Sequence, residues 1–230
     1  MTDWLIDDGL WSARASELSL ESELGAVRRS RGRAQTYAIR LGDLIIHRNQ
    51  KLFGEADIRV DALVVHGRGR KDNPASYYAP GTFRFGRVAD GDRLPIEESG
   101  LLVFLGKPRH FLDIFITVSR DTRDTDELAT LLTSPARAPE ISAAAGDLYR
   151  LTGGPEAAAL SAALQAALSL GDIAYRALRT ATNKTVGLYR ASWLQHRDNF
   201  GEGRHPDAGH RREKDLSFWY EVIPESAPAG

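Results

Sequence analysis

The chain predicts a mainly β, α+β fold: an antiparallel β-sandwich with helices inserted between late strands. Two changes of pattern carry this. From about Gln35 to Val118 the sequence reads as short strands, from about Asp124 to Thr182 as Ala- and Leu-rich helices, and from Val186 to Ile223 as strands again. A sandwich that opens to admit a helical segment produces this arrangement. The insert, about 124–182, begins in the most acidic short stretch of the chain, Ser119 to Glu127. The whole of 1–230 is read as one domain, with a flexible tail at about 226–230.

Composition narrows the function classes. A chain of 230 residues can bury a sizeable core, and 42% hydrophobic with 27% charged residues is ordinary for a soluble protein. The net charge of −1 supplies no bulk field toward nucleic acid or acidic lipid. Arginine outnumbers lysine 25 to 5, which reflects either a GC-rich genome or a use for planar guanidinium contacts. The absence of cysteine excludes disulfides, thiolate catalysis and Cys-ligated zinc. Met1 to Asp8 has no basic region leading into an apolar core, so it is not a secretory signal. No stretch reaches the ~18 apolar residues of a membrane span. A cytoplasmic, bacterial protein is expected.

Taken in order, residues 1–34 offer the apolar anchors Trp4, Leu5, Ile6, Leu10 and Trp11, then Leu18, Leu20 and Leu24 among polar neighbours, consistent with one or two strands. Tyr37–Leu41 and Asp43–His47 read as β. Asp57 to Val65 opens with polar/apolar alternation, the period of a half-buried strand. Gly67–Pro80 reads as a long loop, Thr82–Phe85 as a strand and Ala89–Asp92 as a tight turn, since Asp-Gly accepts positive φ. Leu101–Leu105 and Phe111–Val118 follow, the latter apolar enough to be central. After the insert, Gly187–Leu194 and Asp215–Val222 are strands around a polar loop at about Asn199–Lys214. In the last strand Phe218 and Tyr220 share one face and Trp219 takes the other, so both faces need a cover and the insert is the natural cover for one of them.

The insert carries its own punctuation. Asp124 with Glu127 forms a capping box, and Leu128, Leu131 and Leu132 are the apolar side of the first helix. Pro135 ends it, Pro139 sits in the first turn of a second helix to about Leu151, and Pro155 opens the longest, to about Arg179. Leu160, Leu164, Ala167 and Leu168 lie on its apolar side, continued by Ile173, Tyr175 and Leu178.

Two clusters are candidate sites. Asp121, Asp124 and Asp126 follow an apolar strand directly, and oxygen-rich loops at strand ends suit calcium, which takes six to eight oxygen ligands. Asp57 with Asp61, Asp72, or Asp90 with Asp92 are second acidic groups that would have to converge on them. Against calcium, the capping box uses Asp124 and Glu127, and Arg120 and Arg123 neutralise the rest. No other cofactor is expected. The loop Arg204-His205-Pro206-Asp207-Ala208-Gly209-His210-Arg211-Arg212 offers His205, Asp207 and His210 to a transition metal, or its arginines to a phosphate or carboxylate. Arg28, Arg29, Arg31 and Arg33 form a second basic run, read as a solvated loop or an anion contact that meets Arg204–Arg212 at one end of the sandwich. Catalytic motifs fail: Ser192 lies in no Gly-x-Ser-x-Gly turn, and Gly67-Arg68-Gly69-Arg70 lacks the Lys-Ser/Thr end of a phosphate loop.

The strands Asp57–Val65 and Phe111–Val118, followed by Asp121, Asp124 and Asp126, resemble a C2-type β-sandwich over about 35–126 and 186–223. The resemblance implies a non-catalytic module that binds a protein partner or an acidic membrane surface, with calcium in some members. The helical insert departs from the compact form of such modules. Two alternatives stand beside a module of a bacterial assembly: a metal-dependent hydrolase built on the His205 loop or the acidic cluster, and a structural subunit of a homo-oligomer.

Overall fold

The computed structural model describes residues 35–70, 73–121, 125–152, 158–182 and 184–225. Among these residues nine strands form two antiparallel sheets. They are β1 (Thr36–Ile46), β2 (Ala56–Val65), β3 (Tyr78–Val88), β4 (Leu101–Gly106), β5 (Phe111–Arg120), β6 (Lys184–Leu194), β7 (Gly203–His205), β8 (Arg211–Glu213) and β9 (Leu216–Glu225). One sheet runs β4-β1-β9-β7, with β8 also paired to β9; the other runs β3-β2-β5-β6. The expected sandwich is therefore present, and β5 and β9, expected to be central, each have neighbours on both sides. Three helices, α1 (Leu128–Thr133), α2 (Ala138–Thr152) and α3 (Ala158–Ala181), lie between β5 and β6 where the insert was expected.

Strand alternation produces the main core. Ile58, Val60, Ala62 and Val64 of β2 and Leu112, Ile114, Ile116 and Val118 of β5 point inward to Ile39, Leu41, Phe218, Tyr220 and Val222 of the facing sheet. The opposite face of β2 and β5 is also buried, by the helices. There Leu63, Val65, Phe111 and Phe115 pack with Leu128, Ile141, Leu148, Leu170, Ile173 and Leu178. In α3, Gly171 is necessary for this contact, because a Cβ there would collide with the Phe115 ring.

Several local expectations are corrected. The insert packs on the sheet containing β5 rather than on a face of β9, whose Phe218 and Tyr220 face the sandwich core. Trp219 instead lies against Gly42, where a Cβ would strike its indole, with the Arg204 guanidinium 4.7 Å from its ring centre. The expected loop Gly67–Pro80 is shorter, because β3 starts at Tyr78 and contains Pro80; as an edge strand, β3 tolerates a missing donor. The polar loop Asn199–Lys214 contains β7 and β8. The β2 alternation marks faces correctly, but its polar face, with Arg59 and Asp61, is buried rather than exposed. The side chains of Leu160 and Leu164, residues 1–34 with their basic run Arg28, Arg29, Arg31 and Arg33, Asp124 and the tail 226–230 lie outside the described residues.

Candidate functional site

The acidic junction is a structural knot. Pairing of β2 with β3 sets Asp61 opposite Thr82 and Arg59 opposite Arg84. Arg59 donates from Nε to Asp61 at 2.6 Å and from Nη2 at 2.8 Å, both side chains being fully buried. Its Nη1 donates to the carbonyls of Thr125 (3.3 Å) and Asp126 (2.6 Å), the entry to the insert. The Thr82 hydroxyl donates to Asp61 at 2.6 Å and accepts the Leu128 N–H at 2.9 Å. Thr82 thus satisfies an N-terminal amide of α1, and the expected capping box is corrected: α1 begins at Leu128 with Glu127 as N-cap and no side-chain cap bond. Asp121 accepts from Arg84 Nε at 3.1 Å, its other oxygen being buried without a hydrogen bond, while Asp126 is exposed. Arg84 also donates to the Thr125 carbonyl at 2.7 Å. Two guanidinium groups at this junction oppose a dication. Among the described residues, no three His, Asp or Glu side chains gather as a metal site.

The basic loop is folded onto the sheet: β7 and β8 lie one after the other along β9, each pairing with it, Gly203–His205 opposite Val222–Tyr220 and Arg211–Glu213 opposite Phe218–Leu216. Register places His205 opposite Tyr220. Its imidazole lies between Tyr220, 4.9 Å away and stacked, and Trp193 at 4.5 Å, with Nε2 2.6 Å from the Gly201 carbonyl. Beneath it, the Tyr220 hydroxyl accepts from Trp193 Nε1 at 3.1 Å and pairs with the Tyr189 hydroxyl at 3.2 Å. Burial raises both tyrosine pKa values above the ordinary phenol value. Arg204 donates to the Gly209 carbonyl at 2.9 Å, His210 sits 2.6 Å from Asp43, and Arg211 pairs with Glu213 at 2.6 Å while lying over Tyr189. Arg212 and Asp207 are exposed. His205 and His210 therefore have separate partners and do not converge.

A second ion pair was not anticipated. Asp113 of β5 is fully buried and accepts a bidentate contact from Arg190 of β6, with Nε at 2.9 Å, and a bond from Ser192 at 3.1 Å. Burial pushes the Asp113 carboxyl up, and Arg190 and Ser192 pull against it. Arg190 also lies over the Phe115 ring, 5.0 Å from its centre. The pairing of Asp113 with Ser192 in register is the signal that a strand alignment would have given.

The feature that sequence reasoning missed is the β1–β2 loop. Leu52 is 90% and Phe53 88% exposed, adjacent to each other at its tip. The loop beneath them is tightly braced. Buried Asn49 donates from Nδ2 to the carbonyls of Gly54 (2.9 Å) and Val88 (2.8 Å). Its Oδ1 accepts the Lys51 N–H at 2.9 Å, and its own N–H donates to Asp90 at 2.7 Å. Gln50 reaches Asp215, Arg120 reaches the Gln50 carbonyl at 3.4 Å, and Lys51 Nζ reaches the Glu55 carbonyl at 2.6 Å. Gly54, at φ +74°, supplies the left-handed turn back into β2. A second, smaller apolar exposure lies on the edge strand β4, where an irregular register opposite Ile39 and Arg40 accompanies Leu102 at 42% and Leu105 at 60% exposure. No family model and no curated protein matches the chain.

Proposed function

We propose that this chain is a non-catalytic cytoplasmic interaction module that docks on a protein partner or a membrane surface within a bacterial assembly. The observation that supports it is the Leu52–Phe53 tip, held out by a loop whose polar groups are almost all engaged in bracing it. Two adjacent large apolar side chains left nearly bare on a rigid support are a docking feature rather than ordinary surface scatter. Of the ionisable residues that sequence analysis singled out, Asp121, Arg204, His205, His210 and Arg211 are each engaged in an ion pair or a ring contact within the chain. The test is gradient sedimentation of extracts from cells producing the wild type or the Leu52→Ser/Phe53→Ser variant. The wild type should travel with a heavier assembly or a membrane fraction, and the variant as free protein. Equal migration of the two would refute the role of the tip.

A second reading, a structural subunit of a homo-oligomer, is favoured by β4. Its Leu102 and Leu105 are exposed on a strand without a single charged side chain, the kind of edge that pairs with another chain. Concentration-dependent dimerisation abolished by Leu105→Lys would support it. A chain that stays monomeric at high concentration would exclude it.

A further inference from the structure

We propose that the surface received by the Leu52–Phe53 tip is an anionic bilayer interface, an inference that rests on the interaction-module reading above. Shape argues first. Both side chains are about nine-tenths exposed, so solvent reaches around each of them rather than across one shared face. A medium that surrounds a wedge suits this geometry better than a pocket matched to one side of it. Charge argues second. Residues 47–55 contain one carboxylate, Glu55, and Arg87 pairs with it at 3.0 Å. Arg48 and Lys51, both exposed, remain as net positive charge within four residues of the tip. Lys51 is satisfied by a carbonyl, so its charge is not cancelled. Asp90 and Asp215 lie at the base of the loop, where they accept from Asn49 and Gln50. Apolar side chains at the apex with cations one step behind them match the layering of an acyl boundary beneath anionic headgroups. Rigidity argues third, because the bracing through Asn49 presents the wedge without an ordering cost at the moment of docking. Among the described residues no helix is long and apolar enough to cross a membrane.

The absence of cysteine makes the test clean, since one introduced thiol labels one position. Leu52→Cys carrying an environment-sensitive fluorophore is mixed with vesicles of phosphatidylcholine alone, or of phosphatidylcholine and phosphatidylglycerol in equal parts. A Thr130→Cys label on α1, which is exposed, serves as the reference. The expected result is a blue shift at position 52 with the anionic vesicles and none at 130. In sedimentation with the same vesicles, Phe53→Ser should weaken binding by roughly tenfold or more. Arg48→Glu and Lys51→Glu should each weaken it by roughly fivefold or more, less so at high salt. No blue shift and no sedimentation with either vesicle overturns the bilayer. If the tip variant still leaves the heavier fraction in the extract gradient, the module reading survives with a protein as its partner. If neither assay responds to the tip, both readings fall.

Discussion

The β7–β8 segment and the β1–β2 loop make opposite use of their side chains. The β7–β8 segment is dense in charge, yet His205 is stacked between rings, Arg204 covers Trp219, His210 meets Asp43, and Arg211 meets Glu213. The loop looks unremarkable in sequence, yet it holds two apolar side chains away from everything. Charge density marked the first as a ligand surface. Side-chain potential left unsatisfied is what a docking surface offers, and the exposed apolar pair of the second is why the docking role is proposed there.

If engaged charges are structural, removing them should cost stability, and the deepest pair should cost most. Arg59→Ala leaves Asp61 as a buried charge without its cation and removes the donor to the Asp126 carbonyl, while the Thr125 carbonyl keeps its bond from Arg84. It should destabilise by about 3–5 kcal/mol in urea unfolding, while the apolar double replacement Arg59→Met/Asp61→Leu recovers most of the loss. A small effect of Arg59→Ala would mean that the knot at the entry to the insert is dispensable.

His66 sharpens the comparison from the other side, as a group that the fold keeps uncharged. It lies near the Phe104 ring with Nδ1 buried and without a hydrogen bond, and burial lowers its pKa to about 4 from 6.5. The unfolded chain therefore takes up the proton first. The stability that follows from keeping His66 neutral is whole above pH 6.5 and is lost as the pH falls toward 4, by roughly 3 kcal/mol in all. Urea melts from pH 7 downward should show this slope, and His66→Leu should flatten it.

Smaller effects separate the two regions themselves. His205→Ala removes the ring held between Trp193 and Tyr220 and should cost about 1 kcal/mol. Leu52→Ser/Phe53→Ser should move the unfolding midpoint by less than about 0.5 kcal/mol, because neither side chain is buried. A larger loss from the tip than from His205 would invert the comparison.

Much of the architecture was legible in the sequence. The runs at 111–118 and 215–222 could be apolar on both faces only as central strands, and the prolines around the helices marked their limits. What was not legible was the partner of each face. Alternation at Asp57–Val65 separates two faces, but only the helices folding over β2 bury the polar one. Asp113 and Ser192 are distant in sequence and become one site through strand register alone. Leu52 and Phe53 went unread because an apolar pair in a loop is usually drawn inward, and the loop that carries them is braced through Asn49, Gln50 and Lys51.

The most direct measurement compares two variants in one assay: sedimentation with phosphatidylcholine/phosphatidylglycerol vesicles of Leu52→Ser/Phe53→Ser and of Arg211→Glu/Arg212→Glu. The account predicts that the tip variant loses binding by well over tenfold while the arginine variant binds within a few-fold of the wild type. Loss of binding in the arginine variant, with the tip variant bound as well as the wild type, would contradict it and return the docking role to the arginines.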